Sequence, residues 1–98
     1  MRFRKKPIVI EAYQHDGESI KQSWPEWLRV AYAKGEVYEG GKSFGDLYIK
    51  TLEGIMAVNK DDWIIQGVKG EIYPCKPDIF GMTYDRIDTE DVVALLFK

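Results

Sequence analysis

From Glu36 to Pro74 the chain never runs far without a turn signal. EVYEGGKS runs into two glycines, LYIKT and IMAVN flank the short connection LEG, NKDD separates IMAVN from WIIQGV, and VKGE leads into EIYP. The apolar pieces are short and rich in β-branched and aromatic residues, so each reads as a strand. Turn signals about 8 to 12 residues apart leave no room for the crossover helices that parallel strands require. The spacing therefore predicts an antiparallel sheet of about five or six strands, open or curled into a partial barrel.

The remaining segments fit around such a sheet. KPIVIEAYQ alternates as a strand, with Ile8, Ile10 and Ala12 on one face and Val9, Glu11 and Tyr13 on the other. SWPEWLRVAYAKG is the clearest helical pattern. Ser23 can serve as N-cap, Glu26 completes a capping box, and Pro25 fits the first turn. Trp24, Trp27, Leu28 and Ala31 form one apolar stripe, and Gly35 stands where a left-handed residue would end the helix. The fold class is α+β, with the helix over residues 23–34 packed on the sheet. DIFGMTY after Pro77 predicts a short second helix. DTEDVVALLFK predicts a short C-terminal helix, although VVALLF also suits a strand.

Ninety-eight residues make one domain, 1–98, with 86–98 as a C-terminal extension. A single cysteine excludes an intramolecular disulfide and a cysteine-rich zinc site, which fits a reducing cytoplasm. No apolar run approaches the roughly 20 residues that span a bilayer, and PIVI before Glu11 is too short for a signal-peptide core. The net charge of −2 does not advertise nucleic-acid binding; the one basic cluster is Arg2, Arg4, Lys5 and Lys6.

Little in the chain points to catalysis. His15 is the sole imidazole, beside Asp16 in the turn-like HDGES, and no second histidine or cysteine lies at a metal-ligand spacing. The acids Asp61, Asp62, Glu90 and Asp91 sit in a turn and at a helix start, where they have structural reasons to be. Cys75 precedes a lysine and a helix start, both of which favour thiolate, yet no motif supplies a base for it. The expectation is a protein that is not an enzyme and holds no metal or cofactor.

The stretch GVKGEIYPCKPDIF is the most unusual, packing two glycines, two prolines and the cysteine together. If Pro77 opens a helix, Lys76 and the following amides form a small anion-binding corner, with Asp78 partly neutralising that field. Trp24 or Trp27 could stack a base, Tyr73 and Asp78 join Lys76 as candidate ligand contacts, and Arg4 or Lys6 could assist. The alternative is a tryptophan face or a sheet edge that docks on another protein.

RKKPIVIEAYQ, PEWL, LYIKTLEG, DDWIIQGVKGEIYPCKPDIF and TYD together resemble a family of small proteins encoded by bacteriophages and prophages. Its members typically read RKKPVVIEA, then an LxIxTLEG hairpin, then PGDWII, GVKGE, YPCKPDIF and TYE. The likeness covers residues 2 to 85. Two departures stand out: Asn59-Lys60-Asp61-Asp62 replaces the usual Pro-Gly-Asp turn, and residues 86–98 run past the usual end. The resemblance implies a cytoplasmic accessory protein in a bacterial host. It suits a non-enzymatic protein, able to form a homo-oligomer, that sequesters a small anionic ligand such as a nucleotide immune signal. The alternative it leaves open is a module that binds and inhibits a host protein.

Overall fold

The hairpin-rich middle of the chain folds into strands where its turns predict them, but into two sheets rather than one. The computed structural model describes residues 1–4, 6–17, 21–40 and 47–87. Along these run β1 (Glu11–Gln14), α1 (Glu26–Ala33), β2 (Val37–Glu39), β3 (Leu47–Thr51), β4 (Gly54–Val58), β5 (Trp63–Gln66), β6 (Ile72–Cys75) and α2 (Pro77–Thr83). The strand orders are β1-β5-β6 and β2-β3-β4, and every neighbouring pair is antiparallel. The expectation of a single sheet is thus corrected, and the two sheets do not form a closed barrel. The C-terminal helix expected over DTEDVVALLFK lies outside the described residues.

The division occurs at Asn59–Asp62. Consecutive strands β4 and β5 meet there at a tight turn and yet do not pair. Asp61 has a φ of 73°, in the left-handed region that Asp tolerates better than most side chains. Glycine would meet that demand directly. The turn is fastened to the end of β1: His15 N–H donates to the Asp62 carbonyl at 2.9 Å and Asp61 N–H to the His15 carbonyl at 2.7 Å. That attachment aims β5 at β1 instead of back along β4.

β1 is shorter than its alternating pattern. Glu11 pairs with Gln66, the last residue of β5, after which the chain turns through Gly67–Gly70. Residues before Glu11 find no strand beside them, and Ile8 and Val9 stay exposed. The partner's length, not the sequence preference, ends the strand.

α1 keeps Trp27, Leu28 and Ala31 of its expected stripe, but Trp24 falls before the helix and the expected cap is absent. Pro25 is the N-cap residue and no side chain caps the helix, so the Ser23–Glu26 capping box does not form. A proline disfavours helical backbone in the residue before it, which keeps Trp24 out of the helix and denies Ser23 the cap position. Lys21–Ser23 instead make a 3-10 turn. The C-terminus matches the pattern: Gly35 (φ 78°) donates to the Tyr32 carbonyl and Glu36 to the Ala31 carbonyl, both at 3.0 Å.

Cross-strand partners share a face of their sheet, which sorts the side chains of β1-β5-β6. Tyr13, Ile64, Gln66, Ile72 and Pro74 lie on one face, the front; Ala12, Trp63, Ile65, Tyr73 and Cys75 lie on the other, the back. Front-face Ile64 and Ile72 join Trp24, Leu28 and Ala31 with Val37, Leu47, Ile49 and Val58 in the main core. Each fully buried Leu or Ile there contributes roughly 1.5–3 kcal/mol relative to an exposed one. Ile65 is buried on the back, outside that cluster.

Candidate functional site

The YPCKPDIF corner is built from its own residues. α2 packs on the back face through Phe80, whose ring stacks on Trp63 (centroids 4.1 Å apart, planes 8° apart) and leans on Tyr84 at 5.1 Å. Lys76 joins β6 to α2, and its Nζ donates to Asp62 Oδ2 at 2.8 Å. That oxygen also accepts the Asn59 N–H at 2.9 Å, and Asp62 is only 3 % exposed. The ammonium thus neutralises a buried carboxylate and clamps the β4–β5 turn to the start of α2. It is already committed to an anion that the chain supplies. α2 itself is seven residues long, with Asp78 exposed in its first turn, and so short a helix carries a weak field.

Two titratable groups at this corner are shifted. Burial, then the Asp78 and Asp62 carboxylates, push the Cys75 thiol up. This reverses the direction expected from the neighbouring lysine, because Lys76 turns toward Asp62. Burial, then a hydrogen bond with Tyr84, push Tyr73 up to about 12 from an ordinary 10.0. A raised folded-state value means that the neutral phenol supports the fold. Its contribution is complete below pH 10 and is lost as pH rises to about 12. Alkaline unfolding is therefore expected to begin inside that window, and Tyr73→Phe to shift its onset upward. Circular dichroism against pH, with phenolate absorbance followed in parallel, checks this; an unchanged onset would show that Tyr73 takes no part.

The other residues read as ligand contacts lie apart from this corner. Trp24 is 2 % exposed, its ring edge-on to Tyr32 at 5.8 Å, and its indole N–H is buried without a hydrogen-bond partner among the described residues. It belongs to the core. Trp27 is half-buried on the front side beside Gln66 and Ile72. Tyr73 is on the back, so the sheet stands between it and Trp27. Lys76 follows the Trp63–Cys75 end of the hairpin, whereas Trp27 sits at the Gln66–Ile72 end, about 10 Å away along the strands. Arg4 is exposed on the segment before β1. A pocket combining a stacked base with a phosphate on Lys76 is not assembled. His15 is fully buried, which keeps its ring from any external substrate. No group of three or more His, Cys, Asp or Glu among the described residues could hold a metal ion, and no described helix is long and apolar enough to cross a membrane.

Two surfaces give a place to what the sequence reading named only in kind, a tryptophan face or a sheet edge. The first is an open groove of about 460 Å³ between α1 and the far end of the β5–β6 hairpin. Trp27, Val30, Ala31 and Ile72 give it an apolar floor, and Glu26, Lys34 and Glu36 stand at its sides. The second is β4, an edge of its sheet with which no further strand pairs among the described residues. Gly54 to Ala57 are exposed, Ile55 at 62 % and Met56 at 39 %, and Leu52 at the adjoining turn is fully exposed. On the outer face beside it, Tyr38 and Tyr48 stack at 5.6 Å. The signal was present in GIMAV, where no polar residue alternates with the apolar ones to mark a solvent face.

A comparison with protein-family models, curated proteins and solved structures finds no match to this chain.

Proposed function

We propose that this protein is an interaction module that adds an extended segment of another protein to the β4 edge. The observation that carries this reading is that no described strand pairs with that edge and its own residues do not guard it. Natural sheets blunt their edges with charge, proline, bulges or a covering element, whereas Gly54–Val58 contains neither a charge nor a proline and exposes Ile55 and Met56. An added strand would draw affinity from main-chain hydrogen bonds and specificity from contacts with Ile55, Met56 and Leu52. The phage-type motifs support a host protein in the bacterial cytoplasm as the partner, bound without chemistry on either side. Capture of a small anion is the weaker reading, since Lys76 is paired and carboxylates flank the groove.

Ile55→Lys places an edge-guarding charge on a residue that is already 62 % exposed. It is expected to leave the melting temperature within about 4 °C of the parent, because surface changes of this kind cost at most about 0.5 kcal/mol. Pull-down from bacterial lysate should return a partner with the parent chain and lose it with Ile55→Lys. A partner retained equally by both chains would move the docking surface elsewhere.

A further inference from the structure

The segment before β1 has an unusual character. Of the 14 basic side chains four fall in the first six residues, whereas all 16 acidic ones lie from Glu11 onward. The described residues there are exposed, among them Arg2, Phe3 (87 %), Arg4 and Lys6. The segment enters the sheet at the Glu11–Gln66 pair, and Gln66 also lines the α1 groove. Its root is therefore one strand spacing, about 4.8 Å, from the groove wall. Antiparallel pairing directs it outward, beyond the end of the sheet. Pro7 is the one turn-type residue among residues 1–10, and Phe3, at 87 % exposed, is not folded back on the chain's own groove.

We propose that this arm lies in the α1 groove of a second copy of the chain, and that the exchange is reciprocal. Phe3 meets the apolar floor at Trp27, Val30 and Ile72, while Arg2 and Arg4 meet Glu26 and Glu36. The two groove carboxylates outnumber Lys34, so a net acidic groove faces a wholly basic arm, and this opposition selects the occupant. Root and acceptor at the same end of the molecule are what a two-fold arrangement needs, since each arm must cross the axis to reach its partner. The surface is separate from the β4 edge, so either reading can fail without the other.

Charge reversal tests the exchange on the full chain. Arg2→Glu with Arg4→Glu sets two carboxylates against Glu26 and Glu36 and leaves the arm's side chains, Lys5 and Lys6 included, without net positive charge. Glu26→Arg with Glu36→Arg sets a basic groove against a basic arm. All four side chains are exposed, and thermal unfolding confirms that each variant folds. By sedimentation equilibrium the parent is expected to approach twice its 11.3 kDa chain mass as concentration rises. Each variant alone should require at least tenfold more protein to do so, and an equimolar mixture of the two should associate as the parent does, because both arm–groove contacts are again matched. Ile55→Lys should dimerise normally. A parent that stays monomeric at all concentrations overturns the proposal, as does a mixture that stays dissociated. A concentration-independent change in Trp27 fluorescence on reversing the arm would assign the groove to the chain's own arm and overturn the exchange.

Discussion

Replacing Trp24 by alanine is expected to lower stability by about 3–5 kcal/mol. The ring is 2 % exposed and packs among Leu28, Ala31 and the strands of both sheets. Its removal costs the transfer free energy of a large aromatic surface and leaves a void that α1 can only partly close, because Pro25 fixes where the helix begins. A domain of this size commonly has only 5–15 kcal/mol of total stability, so a substantial unfolded fraction near 37 °C should follow. The unpartnered indole N–H reduces the net loss slightly, since its burial is itself unfavourable. Chemical denaturation of Trp24→Ala measures the effect. A loss below about 1 kcal/mol would contradict a core position and reopen the residue as a contact surface. Trp24→Phe, which keeps most of the volume and removes the N–H, should lose much less.

Lys76→Ala is the second change with a large expected effect, through the carboxylate it leaves behind. An exposed ion pair is worth about 0–1 kcal/mol, and the lysine side chain is 56 % exposed. The Asp62 side chain is only 4 % exposed, so without the ammonium it keeps the Asn59 N–H and little else to hold its charge. Leaving a buried group poorly partnered costs about 1–3 kcal/mol, which for this chain length lowers the melting temperature by on the order of 10 °C. A lysine standing free to bind a ligand would give no such drop. The decisive comparison is made in an Asp62→Asn background, where there is no charge to strand and Lys76→Ala should be nearly neutral. Equal losses in both backgrounds would mean that Lys76 acts through packing of its stem.

How much could be read in advance depended on how local the determining contact was. The α1 stripe, the Gly35 terminus and the β3–β4 hairpin rest on residues within a few positions of one another, and all are present. The capping box was local too, but Pro25 restricts Trp24 and so overrides Ser23. Whether Trp24 or Trp27 is the buried one depends on which side of the helix start faces two sheets that the helix itself does not encode. The Lys76–Asp62 pair was within reach. Continuing the β5–β6 register one step past Trp63–Cys75 brings residues 62 and 76 together. The isolated corner displayed a free lysine; the hairpin register shows an occupied one. The division into two sheets was not legible, because NKDD reads as a hairpin turn until its hydrogen bonds to His15 are known.

That division also sets an order on the chain's assembly. The β2–β3–β4 meander joins neighbours in sequence and can close as soon as it exists. β1 has to wait for β5, about fifty residues later, and closing so long a loop is slow and entropically costly. During synthesis Glu11–Gln14 has no partner until the WIIQ segment emerges. The earliest-made strand thus waits longest for its partner, and for that interval the nascent chain displays an unpaired strand to whatever surrounds it.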